Sequence, residues 1–164
     1  MHLFEMTKSY DQVYKWFEIL KKDKHCDVVA FVIMPNHLHC ILYFKDAGFK
    51  LNTIISNGKR FMAYAIIKRL EEKRENSLLE KLSNGLTERE RRKGQLHKVF
   101  IDSFDAKAIF SDKFLLQKLE YIHHNPVIGK WKLAADFTEY VHSSASFYEL
   151  GKRQLYAPLH FHDI

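Results

Sequence analysis

Two short stretches of the chain carry residues whose types and spacing suit phosphoryl chemistry. The first, Val32-Ile33-Met34-Pro35-Asn36-His37-Leu38-His39-Cys40-Ile41-Leu42, sets two histidines two apart in an apolar run. Successive side chains of a strand alternate faces, so His37 and His39 project together and Leu38 points away. Two imidazoles side by side on a rigid strand make half of a divalent-metal site. The second stretch, Tyr121-Ile122-His123-His124-Asn125-Pro126, offers the other half. Residues four apart share a helix face, which brings the Tyr121 hydroxyl near the Asn125 amide. An ion held by His37, His39 and Asn125 has only neutral ligands and keeps its full dipositive charge. Such an ion polarises a phosphoryl oxygen and offsets charge that develops on a phosphate. Tyrosine is one of the side chains that serve as covalent nucleophiles. Taking His123 and His124 as ligands instead gives a four-histidine set and points toward zinc chemistry.

These residues need elements to position them. Ser9 to Lys22 reads as a helix, because Val13, Trp16, Phe17 and Leu20 recur at helical spacing. Ser9 or Asp11 is its cap candidate. Val28 to Met34 is apolar and rich in β-branched residues, Pro35-Asn36 interrupts it, and His37 to Phe44 follows as a second strand. Pro and Asn favour turns, so an antiparallel hairpin is expected. A long helical pattern runs from Leu51 to Arg74, with Gly58 as a candidate break. Ser77 to Gly94 is charged and reads as a shorter helix plus a loop. Val99 to Phe104 reads as a strand. Ser111 to Asn125 is a clear helix with Ser111 as cap, a stripe of Phe114, Leu115, Leu119 and Ile122, and Pro126 as its stop. The class is α+β, an antiparallel sheet with helices packed on it.

The bulk properties narrow the partners. A chain of 164 residues is the size of one domain, 1–164, and can bury a core. Hydrophobic residues are 46% and charged ones 28%, as in a globular protein. A net charge of +6 and a pI near 9.2 favour a polyanion, with nucleic acid ahead of membrane. Cys26 and Cys40 show neither a CxxC pair nor a disulfide framework, which fits a reducing, cytoplasmic setting. No signal peptide is evident, and no apolar run approaches the ~20 residues that span a bilayer.

The segment Val32-Ile33-Met34-Pro35-Asn36-His37-Leu38-His39 resembles the signature of the HUH transposases, named for His-hydrophobic-His. Tyr121-Ile122-His123-His124-Asn125-Pro126-Val127 resembles the second signature of that family, and Ser143-Ser144 with Tyr148 its third recurring block. The nearest group is the REP-associated tyrosine transposases and their single-tyrosine insertion-sequence relatives. The resemblance runs from about residue 10 to residue 150, and its blocks occur in the family's order. It implies a ferredoxin-like fold and a single-strand DNA nicking and strand-transfer activity through a 5′-phosphotyrosine. It implies Tyr121 as nucleophile, His37, His39 and Asn125 as metal ligands, and Mg2+ or Mn2+ as the ion. Of His123 and His124, one is expected at the surface and one at DNA. Single-stranded or hairpin DNA is the implied substrate, with monomer and homodimer both represented among the relatives. The family usually has a strand ahead of the first helix. Here Met1-His2-Leu3-Phe4-Glu5 leads almost directly into that helix, so this strand is short or missing and a sheet edge is expected to lie open. Two rival readings follow: an inactive, structure-specific DNA-binding descendant, and an unrelated metallo-hydrolase with His37, His39 and His123 or His124 on zinc.

Basic residues supply the candidate phosphate contacts. Lys59 and Arg60 open a run that continues through Lys68, and Arg91, Arg92 and Lys93 form a second cluster. Lys130 lies near the tyrosine segment. Contacts of this kind position a nucleic acid without reading its sequence. The alternative for both clusters is a solvated helix face paired with Glu71, Glu72, Glu88 and Glu90.

Overall fold

The computed structural model describes every residue from Met1 to Ile164. It is α+β, with a two-stranded antiparallel sheet and seven α-helices. In chain order the elements are α1 (Leu3–Thr7), α2 (Tyr10–Lys24), β1 (Cys26–Ile33), β2 (Leu38–Phe44), α3 (Leu51–Glu72), α4 (Asn76–Asn84), α5 (Glu88–Arg92), α6 (Asp112–His124) and α7 (Ala145–Leu150). The chain forms two compact units, Met1–Phe49 with Lys107–Ile164, and Lys50–Ala106. No helix is long and apolar enough to cross a membrane.

The first unit is built around β1. All eight of its residues are buried, which explains why Val28 to Ile33 reads as an unbroken apolar run. Alternate residues meet different helices. Phe31 packs on α2, with ring centroids 5.3 Å from Phe17 and 5.9 Å from Tyr14. Ala30 packs with Leu115 and Leu119 of α6, and Val32 with Ile122. The Pro35-Asn36 turn is closed by the Met34 N–H, which donates to the His37 carbonyl at 2.8 Å. β2 then returns with Val32 opposite His39 and Ile33 opposite Leu38. Ser111 caps α6 as expected, its hydroxyl accepting the Phe114 N–H at 3.3 Å. Ser9 precedes α2, but its hydroxyl bonds Thr7 at 2.6 Å and makes no side-chain cap.

The second edge of β1 is not open, contrary to the expectation from the short N-terminal segment. Distant residues occupy it. The Ile33 N–H donates to the His142 carbonyl at 2.8 Å, and the Ser144 N–H donates to the Phe31 carbonyl at 2.9 Å. The Ser144 hydroxyl accepts the Phe31 N–H at 2.9 Å. The register shifts between Val28 and Ala30, and here the Tyr148 hydroxyl donates to the Val29 carbonyl at 2.8 Å. The Leu159 N–H donates to the Val28 carbonyl at 2.9 Å. A buried backbone group without a partner is costly, so this segment completes what a third strand would otherwise supply. It is itself pinned to α2, where Tyr10 stacks on His142 at 3.9 Å and the Tyr14 hydroxyl bonds the His142 Nδ1 at 3.0 Å.

The second unit is helical. Ile54, Gly58, Met62, Ile66 and Leu70 are buried along one face of α3, and Leu78 and Leu82 along α4. Gly58 sits in that buried stripe, four residues from Ile54 and Met62, and α3 runs through it unbroken. Thr87 and Glu90 form a capping box at the start of α5. The Lys98 ammonium lies 2.6 Å from the other oxygen of Glu90 and, with the Thr87 contacts, lowers its carboxyl to about 2. The strand expected over Val99–Phe104 does not form; these residues are irregular. The carbonyls of Ile101, Asp102 and Ser103 turn instead to the Lys59 ammonium at 2.8, 3.1 and 2.9 Å. A cation that collects three successive carbonyls replaces the pairing that a strand partner would give.

Ser144→Ala removes the acceptor of the buried Phe31 N–H and the buried hydroxyl partner of His123. Stability is expected to fall by about 1–3 kcal/mol, seen as a lower urea midpoint at unchanged slope. An unchanged midpoint would contradict this account of the edge.

Candidate active site

The tyrosine and the histidine pair come together because two elements share one face of β1. His39 stands opposite Val32 in the sheet, and Val32 packs against Ile122 of α6. Tyr121 is one residue before Ile122 and falls beside His39, with ring centroids 5.5 Å apart in an edge-to-face arrangement. Tyr121 is 55% exposed.

The two imidazoles converge. His37 Nε2 and His39 Nε2 are 3.1 Å apart, with the rings at 87° to each other. Two ligand nitrogens at right angles on one ion, each about 2.1 Å from it, lie about 3 Å apart. The spacing therefore fits a pair of neighbouring ligands. His37 Nδ1 bonds the Asn36 side-chain oxygen at 2.6 Å. That bond puts the His37 proton on Nδ1 and leaves Nε2 as a lone-pair donor, the usual support of a metal-ligating histidine. Burial holds His37 below the ordinary histidine range, and the Lys130 charge adds to this. Burial lowers His39 further, to about 4, with His37 and Lys118 contributing. Both rings are thus neutral at neutral pH, the form a metal requires.

Asn125 ends α6 one turn beyond Tyr121. Its Nδ2 donates to the Tyr121 carbonyl at 3.1 Å. No group of three or more His, Cys, Asp or Glu residues is arranged to hold a metal. His123 is buried, and its Nε2 bonds the Ser144 hydroxyl at 2.8 Å. His124 stacks on Phe137 at 4.1 Å, and its Nδ1 bonds the Glu120 carbonyl at 3.0 Å. The expectation of one surface and one DNA-facing histidine is corrected accordingly, since His123 is a core residue that ties α6 to the covered edge of β1.

Lysines border the histidine pair. Lys130 Nζ lies over the Trp131 ring at 5.3 Å, and Trp131 lies 6.3 Å from the His37 ring. Lys118 Nζ lies over the Tyr121 ring at 5.7 Å and over Phe114 at 5.1 Å. The sequence does not single out Lys118, although its place three residues before Tyr121 puts it on the same helical face.

The basic residues of the second unit have varied fates. Lys59 has its three donors engaged by backbone carbonyls and serves the fold. Arg60 donates to the Asn57 side chain at 3.0 Å, and Arg91 to the Ser83 carbonyl at 2.7 Å. Arg92 pairs with Glu88 at 3.4 Å, and Lys68 lies 3.9 Å from Glu72, both pairs being exposed. Lys93 ends α5 and is exposed. Exposed pairs of this kind are weak and can be exchanged for phosphate.

No protein-family model matches the chain, and no curated protein or solved structure matches it.

An unfolded histidine takes up its proton near 6.5. His39, His123 and His142 do so near 4 in the fold because each is buried. Between these values the unfolded chain binds more protons, so stability falls as pH drops through that window. Imidazole resonances followed by NMR are expected to show three rings still neutral at about pH 5. Full protonation of His39 by about pH 6 would contradict the burial assigned to it.

Proposed function

We propose that this chain is a single-strand DNA nicking and joining enzyme of the HUH single-tyrosine transposase kind. The observation that carries the reading is the Tyr121 ring packed 5.5 Å from His39, beside two imidazole nitrogens 3.1 Å apart. A nucleophile and a pair of metal-type donors from segments about eighty residues apart in sequence meet on one open face. The ferredoxin-like fold of such enzymes is read here in reduced form, with residues 142–144 taking the place of a further strand on β1.

The chemistry follows from the residues. The Tyr121 oxygen attacks the phosphorus of a phosphodiester and forms an O–P bond. The bond from phosphorus to the 3′ oxygen breaks. The phenol proton passes to solvent, and the departing 3′ oxygen takes one up. The product is a 5′-phosphotyrosine and a free 3′-hydroxyl, and attack by another 3′-hydroxyl reverses the step. His37, His39 and Asn125 would hold Mg2+ or Mn2+, which acts as a Lewis acid on the phosphoryl oxygen. Asn36 orients His37, and burial keeps the His39 ring neutral. Lys130 and Trp131 give the entering strand one cation and one flat ring beside His37. Arg60, Lys68, Arg91, Arg92 and Lys93 are read as phosphate contacts of the second unit, and Lys59 as a structural residue.

The test uses a pool of hairpin-bearing single strands with randomised flanks, incubated with Mn2+. A 3′-labelled strand is expected to appear in a denaturant-resistant protein band, and a 5′-labelled strand to be released with a free 3′ end. Tyr121→Phe abolishes the band, and His39→Ala lowers its rate by about 100-fold or more. Binding without any band points instead to a DNA-binding descendant, and the absence of DNA binding overturns both.

A further inference from the structure

Lys118 is a basic residue on the face of α6 that carries Tyr121. Its ammonium sits 5.7 Å above the Tyr121 ring and 5.1 Å above Phe114. Phe114, Lys118 and Tyr121 are spaced by four and three residues, so the lysine stem lies along a two-ring ladder. The salt bridges of this unit engage Lys15 and Lys45, and no carboxylate is paired with Lys118. The Tyr121 ring beneath it lies 5.5 Å from the His39 ring. Tyr121 and Trp131 pack beside the histidine pair, and Lys130 lies over Trp131. Neutral rings bordered by two ammonium groups favour an anion.

We propose that Lys118 binds a non-bridging oxygen of the phosphate presented to the Tyr121 hydroxyl, and so acts as a further catalytic residue of the site. This rests on the phosphodiester reading above. The cation is held on the helix that carries the nucleophile, so both keep one geometry relative to the phosphate. As Tyr121 attacks, negative charge gathers on the non-bridging oxygens, and a fixed ammonium stabilises the transition state more than the ground state. Lys118 forms and breaks no covalent bond, and its own proton stays with it.

Two measurements test this on the full chain, one of them independent of catalysis. The first is the salt dependence of binding to a short oligo(dT) strand in EDTA. Each phosphate contact on a single strand contributes about 0.7 to the slope of log K against log salt. Lys118→Gln is expected to lower that slope by about 0.7, and Lys118→Arg to leave it unchanged. The second is the rate of adduct formation at saturating DNA, expected to fall about 100-fold in Lys118→Gln, well beyond its effect on binding.

Chemical rescue separates charge from packing. Lys118→Cys treated with 2-bromoethylamine regains a side chain of lysine length and charge and should regain the rate, whereas treatment with iodoacetamide should not. The parent chain treated in the same way controls for Cys26, which is buried, and Cys40, which is partly exposed. An unchanged salt slope in Lys118→Gln overturns the proposal. A reduced slope together with a wild-type protein that forms no adduct sustains the phosphate contact and removes the nicking activity. A wild-type protein that does not bind oligo(dT) overturns both.

Discussion

The buried backbone of β1 constrains everything else in the first unit. A strand covered on both faces must find partners for every N–H and C=O that it directs sideways. β2 satisfies one edge, and the His142–Ser144 segment, Tyr148 and Leu159 satisfy the other. Because α2 and α6 cover opposite faces of the same strand, fixing β1 also fixes the distance between α6 and the hairpin. The approach of Tyr121 to His39 is a consequence of that packing, and no direct bond between them is needed to maintain it. Ser144 joins the two functions of the strand. Its hydroxyl receives a β1 amide and meets His123 of the tyrosine helix, so the covered edge and the helix that presents Tyr121 are held through one atom.

The electrostatics of the site are set by burial and by nearby lysines. Desolvation keeps both imidazoles neutral, and the nearby lysines push in the same direction. Lys118 and Lys130 place positive charge beside the two neutral rings.

Particular elements were legible in the sequence because their signals are local. The stripe of Val13, Trp16, Phe17 and Leu20 gave α2, the Pro35-Asn36 turn gave the hairpin, and Ser111 gave the start of α6. The strand expected at Val99–Phe104 failed for a non-local reason. Its β-branched and aromatic residues suit a sheet, but no neighbouring strand exists to pair with them, and Lys59 takes the carbonyls of Ile101 to Ser103. The same contact removes Lys59 from the pool of candidate DNA contacts. Gly58 suggested a break in α3, yet a glycine within a buried stripe is tolerated where packing offsets its conformational entropy.

The sequence by itself determined α2, the hairpin, α3 and α6, and the basic balance of the chain. These depend on periods of two and 3.6 residues and on side-chain chemistry, which a linear string records. The tertiary structure decided that the exposed edge expected beside β1 is closed, that His123 is a core residue, and that Lys118 stands over the tyrosine. Those outcomes turn on contacts such as that of Phe31 with Ser144, 113 residues apart. Hydrogen bonding of that kind is selected by the need to satisfy buried backbone, and no local pattern announces which distant residue will do so.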